Sequence, residues 1–127
     1  MLEVEIVGRP PADLPIAEIE RLAGFAAASA GIDDGHVAFD FVDPPSIAAL
    51  NREHRAKDAP TDVLSFPIDG ADPGVPGPRE LGDVVICPEH TADLREAVVH
   101  GVLHLVGMDH EADAGEMLAL QAELLSW

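Results

Sequence analysis

Three histidines fall within one short stretch, HGVLHLVGMDH, at His100, His104 and His110. Side chains four apart on a helix share a face, with Cβ atoms roughly 5–6 Å apart, so His100 and His104 can reach one ion. Each imidazole nitrogen would then sit about 2.0–2.1 Å from a zinc ion. Gly107 can end the helix in a left-handed conformation and turn the chain back, bringing His110 to the same ion. Three neutral imidazoles with the fourth position open describe a catalytic site rather than a closed structural one. The spacing predicts one Zn2+ per chain held by His100, His104 and His110. Ni2+ or another divalent metal is compatible with the same donors.

The pattern H-x-x-x-H-x-x-G-x-x-H is also that of metzincin peptidases, which carry a Glu directly after the first His as general base. Here that position is Gly101, which has no side chain. A metzincin-like peptidase or amidase therefore stands only as an alternative that needs a base from elsewhere. A bound metal can itself lower the pKa of water to about 7, so hydrolysis does not demand a strong side-chain base. A substrate whose transition state gains negative charge would instead want a nearby cation.

Residues 51–58, NREHRAKD, supply such cations in Arg52, Arg55 and Lys57, against Glu53 and Asp58. The guanidinium of Arg55 can hold two non-bridging phosphate oxygens at once, and Arg52, three residues away, can add a contact. From spacing alone, solvated charges on an exposed helix are the plainer reading. Asp109 could orient a ligand ring, although capping the turn after Gly107 suits it better. His54 reads as an exposed helix residue, and His36 and His90 lie outside the cluster without a role. Cys87 reads as a packed thiol, and Met117, Leu118 and Leu124 as core.

The elements that must position these groups follow from periodicity. Alternation predicts strands over 2–7 and 36–42, and a third at 63–68. The unbroken apolar run GDVVIC, 82–87, suits a strand covered on both faces. Apolar residues at helical intervals, Ile16 among them, predict a helix over 15–30 closed by Gly31, and Pro44-Pro45 opens another running to about 54. The Gly- and Pro-rich stretch DGADPGVPGPREL, 69–81, predicts an exposed, mobile loop. Asp93, with Glu96 three residues on, caps the histidine helix, which runs to about Val106, and a last helix covers 113–125. The fold class is α+β, a small mixed four-stranded sheet packed by four or five helices, one of them a zincin-like His helix.

At 127 residues the chain suits a single domain, 1–127. No apolar run approaches the ~20 residues that span a bilayer. MLEVEIVGRP lacks the basic start and apolar core of a secretory signal, so a cytoplasmic protein without membrane contact is expected. One cysteine excludes a disulfide framework and a Cys-rich zinc module. Seven Lys and Arg against 24 Asp and Glu give a formal charge of −17, which repels polyanions at long range and disfavours a broad nucleic-acid-coating role.

NREHRAKDAPTDVLSFP and HGVLHLVGMDH, with LGDVVIC between them, together resemble the YbeY family of bacterial rRNA maturation endoribonucleases. The resemblance is collinear over roughly 36–125. It implies that His100, His104 and His110 bind zinc and that Arg55 is the family's functional arginine. It further implies metal-dependent cleavage of single-stranded RNA in 16S rRNA 3′-end maturation and ribosome quality control, in the cytoplasm. The nucleophile could be metal-bound water or the RNA 2′-hydroxyl. Implied partners are single-stranded rRNA, the 30S or 70S ribosome and basic ribosomal proteins, which would offset the chain's negative charge. The non-enzymatic alternative is a ribosome-assembly factor that binds metal for stability.

Overall fold

Leu2, Val4 and Ile6 alternate with Glu3 and Glu5, and that period of two makes β1 (Leu2–Val7) a strand with its apolar side turned inward. The computed structural model describes residues 2–55, 62–69, 79–108 and 113–127, without the side chains of residues 54 and 55. Beyond β1 come α1 (Ile16–Ser29), β2 (Gly35–Phe41), α2 (Pro44–Arg55), β3 (Val63–Pro67), β4 (Arg79–Ile86), α3 (Leu94–Leu105) and α4 (Glu116–Leu125). A short 3-10 turn, Pro88–His90, precedes α3.

The strands form one mixed sheet in the order β1-β2-β4-β3. β2 is parallel to both β1 and β4, and β3 runs antiparallel to β4. The architecture is the expected α+β one, with four α-helices among the described residues.

Helices α1, α3 and α4 cover one face. There Ile19, Leu22, Val98, Val102, Met117 and Leu124 bury against Val37, Phe39, Val84 and Ile86 of the sheet. α2 covers part of the other face, where Ile47 packs with Leu64, Val85 and Cys87. The central run Val84-Val85-Ile86-Cys87 thus alternates between two cores, which explains why it is apolar without interruption. Cys87 is the buried thiol its setting suggested.

Several boundaries differ from the sequence reading. β4 begins at Arg79, so residues 79–81 belong to the sheet rather than to the loop; residues 70–78 lie outside the described residues. The register passes from His36↔Glu80 to Val37↔Gly82, leaving Leu81 as an extra, fully buried residue of a β-bulge. Gly82 is part of that bulge and does not start the strand. Its φ is 139°, and a Cβ there would lie 2.2 Å from the Phe66 carbonyl oxygen.

α4 starts at Glu116, because the Asp113 carboxylate accepts from the N–H groups of Gly115 and Met117 ahead of and inside its first turn. Leu118, expected in the core, is 47% exposed. The buried stripe of α4 is Met117, Gln121 and Leu124, at i, i+4 and i+7, which turns Leu118 outward. Ile16, at the first position of α1, is exposed as well.

Candidate metal centre

The histidine helix is fixed at both ends by its own sequence. Asp93 accepts from the Glu96 N–H at 3.1 Å, supplying the expected N-cap. At the other end Gly107 adopts φ 99°, its N–H reaches the His104 carbonyl at 3.0 Å, and Met108 N–H reaches the Leu103 carbonyl at 3.0 Å. This pair of bonds is a Schellman closure, which turns the chain away immediately after the second histidine.

Between the caps, Val98, Val99, Gly101, Val102, Leu103 and Leu105 are buried, leaving His100 and His104 on the half-buried stripe of α3. Their rings meet edge to face, 4.7 Å between centroids, and Nε2 of His100 lies 3.1 Å from Nε2 of His104. Two nitrogens on a tetrahedral zinc with bonds of about 2.0–2.1 Å stand roughly 3.3 Å apart. The two donor atoms therefore already have the separation that a shared ion sets, and imidazole is a donor such ions accept.

Among the described residues no group of three or more His, Cys, Asp or Glu side chains is arranged for a metal. The third expected ligand, His110, lies outside the described residues, as do Asp109 and Lys57. Arg55 is the last residue of α2, and its side chain lies outside the described set. Arg52 is exposed on the same helix.

Two residues with specific side-chain partners escaped sequence reasoning. Gln121, only 7% exposed on α4, has its Oε1 2.8 Å from Nδ1 of His100. Its signal was a lone amide inside an apolar helical stripe. His36 also has a place, though not at the metal centre. Its Nδ1 lies 2.7 Å from a Glu80 carboxylate oxygen and its Nε2 3.0 Å from Glu5, so one ring joins β1, β2 and β4. Both partners only accept, which favours the doubly protonated ring, and the Glu80 hydrogen bond above all raises the His36 pKa, with Glu5 adding to it.

The packing of Gly101 bears on the peptidase alternative. A Cβ at this position would lie 2.4 Å from Cγ1 of Val84. The position that carries the base in metzincins is here pressed against Val84 of the sheet. An added side chain there forces Val84 or its surroundings to shift.

Comparison with known proteins gives a consistent result. Residues 16–127 match the family model described as Endoribonuclease YbeY. Proteins named Endoribonuclease YbeY from Macrococcus caseolyticus and Bacillus licheniformis are each 39% identical, the matches covering 87% and 94% of this chain and 84% and 88% of those proteins. The protein of that name from Nocardia farcinica is 37% identical, over 98% of this chain and 79% of its own. The solution structure of TM1509 from Thermotoga maritima superposes with a TM-score of 0.59 at 28% identity, covering 99% of this chain and 87% of that one.

Proposed function

Because the chain belongs to the YbeY endoribonuclease family, we propose that it is a zinc-dependent endoribonuclease. Its substrate in this reading is single-stranded rRNA, its task maturation of the 16S 3′ end and ribosome quality control, and its compartment the cytoplasm. The observation that carries the proposal is the 3.1 Å approach of the two Nε2 atoms of His100 and His104, in a chain that matches endoribonucleases along nearly its whole length.

Within this reading His100, His104 and His110 hold one Zn2+, with Ni2+ or another divalent metal as a substitute. Bound there, the ion supplies Lewis acidity to the scissile phosphate. Arg55 holds two non-bridging oxygens of that phosphate through its paired N–H groups, orienting it and stabilising the charge that builds on it. The Schellman closure at Gly107 ends α3 shortly after the second of the two imidazoles. No helix among the described residues is long and apolar enough to cross a membrane.

The net charge of −17 bears on partners. A polyanion is attracted only where the ion and the Arg55 region outweigh the surrounding carboxylates. Docking on the 30S or 70S ribosome through basic ribosomal proteins would present the rRNA and offset the repulsion.

The test is metal content of the purified protein by mass spectrometry, together with cleavage of an RNA that has single- and double-stranded segments, with and without chelator. About one zinc per chain and chelator-sensitive cleavage confined to the single-stranded segment are expected. Metal-free protein with full activity, or casein digestion without RNA cleavage, would overturn the reading.

A further inference from the structure

We propose that Gln121 is a positioning residue that fixes the ring of His100 in the tautomer and orientation needed to bind a divalent ion through Nε2. The inference rests on the reading of His100 as a metal ligand and assigns a role to a residue on a different helix, 21 positions away.

Gln121 lies on the inner stripe of α4 between Met117 and Leu124, both fully buried, and is itself 7% exposed. An amide in such a place is costly unless hydrogen bonded. Its oxygen sits 2.8 Å from His100 Nδ1. An amide oxygen only accepts, so Nδ1 must carry the proton. A neutral imidazole has a single N–H, and placing it on Nδ1 leaves the lone pair on Nε2. That Nε2 is the atom 3.1 Å from Nε2 of His104.

The same bond pins the ring in rotation, since both helices are anchored in the main core through Val98, Val102, Met117 and Leu124. Choosing an amide rather than a carboxylate does this without adding a negative charge beside a site that must receive phosphate.

The experiment uses the full chain, labelled with 15N. In metal-free protein, long-range 1H–15N spectra of the His100 ring, assigned with His100→Ala, should show a protonated Nδ1 and an unprotonated Nε2. Gln121→Met keeps the side chain's length and removes the acceptor. It should mix the tautomers and raise the zinc Kd, measured against a chromophoric chelator, about 10- to 100-fold. Gln121→Glu restores an acceptor and should bind zinc at least as tightly as the unmodified protein.

An unmodified protein protonated at Nε2, or a Gln121→Met protein with unchanged Kd and tautomer, overturns the inference. If Gln121→Met fails to fold by circular dichroism, the ring spectrum of the unmodified protein and the Gln121→Glu affinity decide. Absence of zinc binding by the unmodified protein would remove the ligand reading, while the ring spectrum still reports whether Gln121 orients His100.

Discussion

Ser65 Oγ donates a 3.1 Å hydrogen bond to the carbonyl of Gly101, tying β3 to the turn of α3 that lies between His100 and His104. The helix comes this close because Gly101 has no side chain to hold it off Val84. Two opposed effects can be weighed by substituting alanine for Gly101. Helix propensity alone favours Ala over Gly by about 1 kcal/mol. A Cβ 2.4 Å from Val84 Cγ1 demands repacking, and overpacking of this kind costs roughly 1–3 kcal/mol. Gly101→Ala is therefore expected to lower the urea midpoint, and Ser65→Ala to lower stability by about 1 kcal/mol through the lost bond. A Gly101→Ala protein more stable than the parent would show that the helix is not held by this contact.

The His36 bridge makes a signed prediction with pH. Its pKa is raised, first by the hydrogen bond to Glu80 and then by Glu5. Glu3, Asp34, Asp69 and Arg79 border the same hollow, so the surrounding charge is mostly negative. A group whose folded pKa is raised contributes stability that is fully present below its unfolded value, about 6.5. That contribution is lost as pH rises through the higher folded value. Urea unfolding of the parent and of His36→Gln from pH 5 to pH 9 should show the largest gap at the acid end and a narrowing gap above neutrality. A gap that widens with pH would contradict the bridge.

Glu18 works in the opposite direction. The Arg21 guanidinium beside it, with Arg95 from α3 at 3.0 Å, lowers its pKa from 4.5 to about 2. A depressed carboxylate contributes stability above its unfolded value and loses it as pH falls through the folded one. Unfolding of the parent and of Glu18→Gln should therefore differ at pH 5 and converge between about 4.5 and about 2. Added salt should shrink the difference, because the pair is half open to solvent and its attraction is screened. An unchanged difference at pH 2 would exclude the ion pair as its source.

What could be read from the sequence was what depends on near neighbours. The alternation of Leu2, Val4 and Ile6, the Asp93 cap and the left-handed Gly107 are all local, and each appears where expected. The facing of His100 and His104 is also local, because a four-residue step on a helix fixes it. Tertiary relations were not legible. The partners of His36 come from strands 31 and 44 residues away. Whether Leu118 or Gln121 faces the core depends on the rotation of α4, which its several apolar residues leave undetermined until it packs on α3. Gly82 looked like a strand boundary because glycine usually weakens strands, whereas here a bulge and the nearby Phe66 carbonyl require it.

The division of labour proposed for the site predicts that metal binding and turnover separate by residue. His104 would act on the ion directly, so His104→Ala should lose bound zinc and RNA cleavage together, and Nε2 of His100 would lose the neighbour that stands 3.1 Å from it. Arg55 would act on the phosphate and not on the ion. Arg55→Ala should therefore retain about one zinc per chain while its turnover falls roughly 10²- to 10³-fold, the usual consequence of removing one donor that stabilises transition-state charge. Arg55→Lys keeps the charge but loses the planar fork, and should recover only part of the rate if two phosphate oxygens are held at once. Zinc content by mass spectrometry and single-turnover cleavage of a single-stranded RNA separate the two effects. Equal turnover in Arg55→Ala would remove that residue from the reaction, and zinc loss in the same variant would place its role in building the site instead.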